Sequence, residues 1–302
     1  MTRVPDLAAP PEIRLTENVY ELVFGGAPSV VRRAPGALVL LTSPDGPSLT
    51  VALRWGATVA LGPTGDGSAD LYSMNHHTQR FVTGPGAPVV PPPPWARVPV
   101  EALLGTPRPG ARMVVNRDLP AEMGLLDGAE TFVAVTHGVR DLYGHGVGEA
   151  LDDDPSRLTV RHAREAEALL VYGRDVRHVP CDLASLGLRL LIMDVGAVAA
   201  PPPEPGGDLA ARAASALSKG RTADLGALLT EGHVRGEPTL DVALDVARAA
   251  GAHGGLIVGR CAIALTPMTA VPRIRAEVTA RLKRLTKRPP RFLTAVPEGQ
   301  YV

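Results

Sequence analysis

The chain has 302 residues, with 31 Lys and Arg against 31 Asp and Glu, and 45% of its residues are hydrophobic. This length holds one large domain or two ordinary ones, and the hydrophobic content excludes a disordered chain. A net charge of zero excludes binding to nucleic acid or to a membrane surface that is driven by bulk charge, so neither is expected as a partner.

The cysteines and the first residues indicate the compartment. Cys181 and Cys261 have neither the spacing of a metal site nor that of a disulfide framework, which indicates a reducing environment. The start, MTRVPDLAAPPEIRL, has no signal-peptide hydrophobic run, and no stretch has the apolar length of a membrane helix. We therefore expect a cytoplasmic protein, and the Ala, Gly, Arg and Pro richness is typical of a high-GC bacterial genome.

In the first half, strands alternate with helices. A helix is predicted in ENVYELVFG, and strands are predicted in VVRRA, ALVLL, SLTVALRWGATVAL and LYSMNHHTQRFV. The stretch PGAPVVPPPPW (85–95) is interpreted as a rigid polyproline spacer. A strand in ARMVVNRDL (111–119) then leads through DLPAEMGLLDGAE, which contains a turn, into a long amphipathic helix.

The second half repeats the alternation. SRLTVRHAREAEALL is predicted to be helical, VYGRDVRHVP and LRLLIMDVGA to be strands, and PPPEPGG (201–207) to be a linker. Three helices follow, then GLIVGRCAIALTP as a strand or strand pair. VPRIRAEVTARLKRLTKR is a helix stopped by Pro289 and Pro290, and RFLTAV is a last strand. The sequence thus predicts a mixed α+β protein.

Several segments, in order along nearly the whole chain, resemble the GHMP sugar kinases, and galactokinase most of all. They are VYELVFGGAPSVVRRAPG, DLPAEMGLLDGAETFVAVTHGVRDLYG, RHVPCDLASLGLRLLIMDVG, TLDVALDVARAAGAHGGLIVGRCAIAL and PPRFLTAVPEGQ. The resemblance implies a GHMP-kinase-like two-domain α+β fold. Residues 1–180 would form a ribosomal-S5-domain-2-like α/β domain and residues 181–302 a ferredoxin-like domain, with the site in the cleft between them.

The first motif of the resembled family is altered. Galactokinases follow Ala-Pro-Gly with Arg and then a Gly-Glu-His-x-Asp-Tyr run that orders the sugar, whereas here Ala37 follows Gly36. Asp45 is the only acid left in this stretch and is a candidate substrate-binding residue. Its simpler interpretation is a turn residue in SPDG.

The phosphate loop of the family is altered as well. Its serine run is replaced by Leu126-Asp127-Gly128, although the resemblance implies nucleotide phosphate at this helix N-terminus. A carboxylate about 4 Å from a phosphate charge opposes it by roughly 4 kcal/mol at an effective dielectric of 20, or about a thousandfold in affinity. Asp127 and Glu130 also fit a capping box, in which the helix satisfies its own first turn.

The remaining candidates are dispersed. GGLIVGRCAI replaces the Gly-rich third motif, and its Arg260 is a candidate for binding substrate in the cleft. The Gly-x-Met-Asp-Gln catalytic segment of the family is missing, and Asp194 is interpreted as a strand-end aspartate. His76, in the polar cluster Asn75-His76-His77, is a further substrate-binding candidate. Adjacent strand histidines point to opposite faces and make a poor chelating pair, so no metal site is predicted.

The devices of phosphoryl transfer are therefore altered together, and we predict a galactokinase-like protein that has lost ATP-dependent transfer. The leading hypothesis is that the cleft is reused, without a cofactor, for ATP-independent chemistry on a small, amine-bearing molecule of bacterial specialised metabolism. Glu122, Asp127 and Glu130 are its candidate catalytic carboxylates, one acting as a general base. The alternatives are a pseudokinase that binds a ligand or a protein partner, and a residual sugar kinase with atypical ATP binding.

Overall fold

The computed structural model describes residues 9–43, 46–76, 79–105, 110–144, 153–197 and 207–300. Its strands form a seven-stranded and a four-stranded sheet, and helices cover them, so the predicted α+β class is confirmed. Within these ranges, no helix combines the length and the apolar character that a membrane crossing requires.

The first sheet is organised around one long strand. Its members are β1 (Val30–Thr42), β2 (Ser48–Pro63), β3 (Ala69–Ser73), β4 (Arg80–Thr83), β5 (Ala111–Arg117), β6 (Glu167–Tyr172) and β7 (Asp175–Pro180). The order is β4-β3-β5-β2-β6-β7, and β1 lies along the other side of β2. The first residues of β2 pair with β6 and its last residues with β5, while β3 and β5 are parallel.

Helices cover both faces of this sheet. They are α1 (Pro11–Phe24), α2 (Arg97–Leu104), α3 (Ala129–Tyr143) and α4 (Pro155–His162). Tyr20 of α1 packs with Ala60 and Val114 on one face. Side chains alternate along a strand, so their neighbours Val59 and Leu61 face the opposite side, where they share a core with α3. As a result α3 is buried along most of its length.

The second sheet is built from the C-terminal part of the chain. Its strands are β8 (Leu188–Asp194), β9 (Gly254–Val258), β10 (Cys261–Pro267) and β11 (Arg291–Ala295), in the antiparallel order β11-β8-β10-β9. The helices of this part are α5 (Leu209–Ser218), α6 (Thr222–Glu231), α7 (Pro238–Ala249) and α8 (Val271–Leu282). Leu191 and Met193 of β8 pack with α7 and α8, while Leu190 and Ile192 face the other side.

One continuous core joins the two sheets. It contains Leu38 and Leu53 of the first sheet, Ile192 and Ile263 of the second, and the inner face of α5 and α6. The segment between β5 and α3 contributes Leu125 and neighbouring side chains to the same cluster. This segment is therefore a wall of the core between the sheets.

The structure departs from the predicted elements at several places. The predicted strand LYSMNHHTQRFV is divided between β3 and β4, and the predicted strand VYGRDVRHVP is divided between β6 and β7. The predicted helix through SRLTVRHAREAEALL ends at His162, because Ala163 leaves the helical conformation with a ψ of 135°. Ala166, with a left-handed φ of 58°, then turns the chain into β6. The two predicted strands VVRRA and ALVLL are one strand with irregular register. The proline-rich spacer ends in a 3-10 turn, Pro94–Ala96, that leads into the unpredicted α2. The linker through residues 201–206 lies outside the described residues.

Candidate functional site

The segment that joins β5 to α3, residues 118–128, is held at its start by Asp118. One carboxylate oxygen of Asp118 accepts hydrogen bonds from the Gly56 amide and the Arg33 guanidinium, each at 2.7 Å. Both side chains of the Arg33–Asp118 pair are largely buried. Gly124 then adopts a left-handed φ of 60°, which turns the chain toward α3.

At the start of α3, the Asp127 side chain is exposed and bonds its own backbone. Its Oδ1 accepts from the Ala129 amide at 3.0 Å, which forms an Asx turn around Gly128. The predicted capping box is wrong, because the carboxylate of Glu130 turns inward instead of reaching back toward Asp127. The carboxylate of Asp127 nevertheless accepts the hydrogen bond of the Ala129 amide, which is one of the N–H groups that a bound anion would use.

The carboxylate of Glu130 lies in the core. Glu130 is fully buried, and its Oε1 accepts from Arg117 Nε at 2.9 Å and from the Thr131 hydroxyl at 3.3 Å. Its Oε2 is also buried and has no hydrogen-bond partner in the structure. Burial raises the pKa of Glu130 above its ordinary 4.5, and the Arg117 guanidinium offsets part of that rise.

The residues that replace the serine run are apolar and packed. Leu125 and Leu126 are 5% and 8% exposed and belong to the core that joins the two sheets. Leu126 also lies against Gly36, where an added Cβ would come within 2.6 Å of a Leu126 methyl group. Space that a small hydroxyl residue would leave open is therefore filled by leucine side chains.

The β9–β10 turn closes over this segment from the second sheet. A Cβ on Gly259 would lie 1.8 Å from the Gly124 carbonyl oxygen, so the two backbones are in direct contact. Arg260 Nη2 donates to the Ala121 carbonyl at 3.4 Å, and its guanidinium packs beside Gly124. The Arg260 side chain thus contacts the segment's backbone, and the substrate-binding role predicted for it stays a prediction.

A small pocket of about 100 Å³ opens beside this segment. The imidazole of His76 and the indole of Trp95 lie on its wall, with ring centroids 6.5 Å apart and planes inclined by 18°. The other lining residues are Ser73, Asn75, Pro94, Val115, Arg117, Leu119 and Ala121. His76, predicted to bind substrate, therefore lies at a cavity with an aromatic wall.

Arg117 connects the pocket to the buried carboxylate. The side chain of Asn75 fixes the backbone of Arg117. Its Nδ2 donates to the Arg117 carbonyl and its Oδ1 accepts from the Arg117 backbone N–H, both at 2.9 Å. The guanidinium pairs with Glu130 and also donates to the Leu126 carbonyl at 3.2 Å. Neither Arg117 nor Trp95 was predicted from the sequence as a site residue. The one local signal for Arg117 is its position at the end of a strand that leads into the loop.

The other predicted residues do not converge on this pocket. Glu122 is exposed on a 3-10 turn, Asp127 is exposed at α3, and Asp45 lies outside the described residues. Asp194 is buried at the end of β8 and is paired with two arginines, so it is structural, as interpreted from the sequence. The described residues contain no cluster of three or more His, Cys, Asp or Glu side chains suited to a metal ion.

The two cysteines are buried free thiols. Burial raises the pKa of Cys181 and that of Cys261 to about 12, which leaves both thiols protonated at neutral pH. Cys261 Sγ lies 3.5 Å from the Met123 carbonyl, in the contact between the β9–β10 turn and the loop.

Comparison with protein-family models and with curated protein sequences finds no match. Among solved structures, galactokinase of Lactococcus lactis in complex with galactose aligns over 95% of this chain and 98% of its own, with a TM-score of 0.78 and 17% identity. The fold is galactokinase-like. Mevalonate kinase of Methanococcus jannaschii covers 91% of this chain and 99% of its own (TM-score 0.58, 14% identity).

A third similar structure is mevalonate diphosphate decarboxylase of Staphylococcus aureus, which covers 90% of this chain and 96% of its own (TM-score 0.61, 11% identity). The predicted resemblance to the GHMP kinases is thereby confirmed at the level of fold. Identities this low carry the fold alone. A shared fold does not determine function, which depends on the residues of the site itself.

We expect Glu130→Gln to change how the free energy of unfolding depends on pH. The folded state binds the Glu130 proton more tightly than the unfolded state, so this contribution is complete below pH 4.5 and declines as pH rises through the raised pKa. The glutamine variant lacks this titration. In urea unfolding at a series of pH values, the wild-type minus variant free energy should fall, by up to about 1.4 kcal/mol per pH unit, in that window.

The matched control is Glu122→Gln, which neutralises an exposed carboxylate of the same loop. Its difference from wild type should change little over the same pH range. A difference for Glu130→Gln that rises with pH, or one as flat as the control, would contradict the burial described for this side chain.

Proposed function

We propose that this galactokinase-like protein does not carry out ATP-dependent phosphoryl transfer and instead binds a small ligand as a non-catalytic or regulatory protein. The observation that carries the proposal is the start of α3, where a phosphate would have to bind. The Asp127 carboxylate bonds the Ala129 amide there, and the Glu130 carboxylate lies buried in the same turn. The helix N-terminus is already complemented by the protein's own negative charge.

Charge repulsion and packing both oppose a phosphate at the N-terminus of α3. A phosphate at this terminus would lie within a few ångströms of the Asp127 carboxylate, whose opposition at about 4 Å is roughly 4 kcal/mol at an effective dielectric of 20. The phosphate would also have to displace the Asx bond to Ala129. Leu126 and the contact between Gly124 and Gly259 fill the neighbouring space. Electrostatics and packing therefore both oppose a bound phosphate.

The geometry also favours binding over chemistry. Asp127 and Glu122 are exposed and lie outside the pocket wall, and Glu130 is covered by Arg117. A general base must come within hydrogen-bond reach of the proton that it abstracts. Three carboxylates with separate environments do not form such a site, so the binding hypothesis is preferred to the reused-enzyme hypothesis from the sequence.

The pocket suggests the kind of ligand. Its volume of about 100 Å³ is well below the roughly 300 to 1,000 Å³ of pockets that hold drug-sized molecules. The Trp95 indole and His76 imidazole offer flat faces, against which an aromatic ring stacks favourably. We therefore propose a compact, planar ring as the recognised group.

One observation supports ATP-independent chemistry as a second candidate. Glu130 has a buried, unpartnered Oε2 and a raised pKa, and its partner Arg117 lies on the pocket wall. Buried carboxyl groups of this kind are used as general acids and bases in enzymes. This candidate requires Arg117 to move away so that a ligand reaches Glu130.

Nucleotide binding tests the loss of phosphoryl transfer. Thermal unfolding is followed with millimolar Mg-ATP, Mg-ADP and galactose, with the Lactococcus lactis galactokinase as the positive control. We expect no shift for this chain with either nucleotide, whereas a nucleotide at a hundred times its Kd would stabilise it by about 2.7 kcal/mol. A clear shift together with galactose phosphorylation would overturn the proposal and establish a residual sugar kinase.

Ring binding is tested separately, by ligand-observed NMR with indole, benzimidazole and adenine as probes. We expect at least one probe to bind and Trp95→Leu to weaken its binding by about fivefold, since a lost stacking partner costs on the order of 1 kcal/mol. Tyr172→Leu, which removes an exposed aromatic ring far from the pocket in the β6–β7 hairpin, is the matched control. No binding by any probe, or equal binding by both variants, would refute the ring site.

A further inference from the structure

Basic residues are concentrated in one stretch of an otherwise neutral chain. Residues 271–291, which span α8 and the start of β11, contain eight Lys and Arg residues and a single acid, Glu277. Arg273 pairs with Glu277 at 2.7 Å, while Arg288 and Arg291 pair with Asp194. The other basic residues of the stretch need a different explanation.

Four exposed cations of this stretch have neither an acidic nor an aromatic partner among the described residues, whereas Arg275 lies over the Phe292 ring. They are Arg281, Lys283, Arg284 and Lys287. Cations in the last turn of a helix stabilise its negative end, which accounts for Arg281 and for Lys283 at the C-cap of α8. Arg284 and Lys287 lie beyond the helix, where this effect has faded. We name the four residues the basic corner.

The basic corner is held beside the first residue of β11. Arg288 Nη2 binds Asp194 Oδ1 at 2.8 Å, and Arg291 Nε binds Asp194 Oδ2 at 2.8 Å. Asp194 lies opposite Arg291 in the β8–β11 register. Because both arginines converge on one buried carboxylate, the chain between α8 and β11 is tied down and Lys287 stays close to the strand.

The strand β11 has an open edge. It pairs with β8 on one side, and no strand of the described chain pairs with its other side. Its side chains Phe292 and Leu293 are only partly buried, and they pack against the clusters on opposite faces of the sheet. An added strand would extend the sheet and cover both side chains.

We propose that the edge of β11 binds an extended, acidic segment of a partner protein by strand addition, with its carboxylates on the basic corner. Backbone hydrogen bonds would supply register, and the cations would select acidic residues at one end of the segment. A protein segment is favoured over nucleic acid because Phe292, the single aromatic side chain of this surface, is partly buried against the α7–α8 cluster and has Arg275 over its ring, which leaves little of it for base stacking. This surface is separate from the pocket that His76 and Trp95 line beside the segment between β5 and α3.

Fluorescence anisotropy with a synthetic probe tests the proposal. The probe is a labelled peptide that alternates Val or Thr with Glu, and its control has the same sequence with every backbone amide N-methylated. The control keeps every charge but cannot add to a strand edge. We expect saturable binding of the first peptide that weakens with salt, and binding of the control that is at least about tenfold weaker.

Two charge-reversal variants of the full chain complete the test. Lys283→Glu/Arg284→Glu/Lys287→Glu should weaken binding of the peptide by about tenfold or more, because it reverses three of the four charges of the basic corner. Arg97→Glu/Arg174→Glu/Lys219→Glu changes the net charge equally at exposed sites elsewhere and should bind the peptide like the wild type.

Four results would contradict the proposed peptide site. Absence of peptide binding would overturn the proposal, and so would equal binding of the N-methylated control, which would indicate attraction by charge alone. Tighter binding of oligothymidylate or of anionic lipid vesicles than of the peptide would assign the surface to a different class of partner. Equal loss in both triple variants would remove the basic corner from the site.

Discussion

The ion pair between Arg117 and Glu130 determines what the segment before α3 can do. It joins the last residue of β5 to the first turn of α3, with the carboxylate fully buried and the guanidinium on a pocket wall. Burying a carboxylate costs several kcal/mol unless a partner compensates it. The pair therefore fixes the two ends of the segment relative to each other, and Arg117 also binds the segment near its end, through the Leu126 carbonyl.

The rest of the site follows from this closed segment. Leu125 and Leu126 become part of the core between the sheets, and the β9–β10 turn packs its Gly259 directly on Gly124. What is left is a small cavity bordered by Trp95 and His76 on one side of Arg117. A galactokinase-like fold is thus combined with a helix N-terminus whose Ala129 amide is bonded by the chain's own Asp127, and the proposal of a ligand-binding protein without phosphoryl transfer rests on this combination.

The fold could be predicted from the sequence because segments that resemble those of the GHMP kinases occur in the same order along nearly the whole chain. The same resemblance located the segment before α3 correctly. The sequence could not show the direction of Glu130. An acid three residues after Asp127 fits a capping box locally, whereas the actual partner, Arg117, lies on another element. Trp95 was hidden in a proline-rich stretch that suggested a spacer, and β6 was hidden in a predicted helix that in fact ends at His162. Long-range contacts that the local pattern does not show place Glu130 against Arg117, Trp95 beside His76 and β6 beside β2.

A double-mutant cycle on Arg117 and Glu130 tests the closed segment most directly, by urea unfolding of Arg117→Met, Glu130→Leu and the double variant. Arg117→Met alone should cost roughly 3 to 5 kcal/mol, because it leaves a buried carboxylate without its partner. The double variant should cost less than the sum of the singles by well over 1 kcal/mol, as expected for residues in contact. Additive costs, within about 0.5 kcal/mol, would contradict a buried pair that closes the segment.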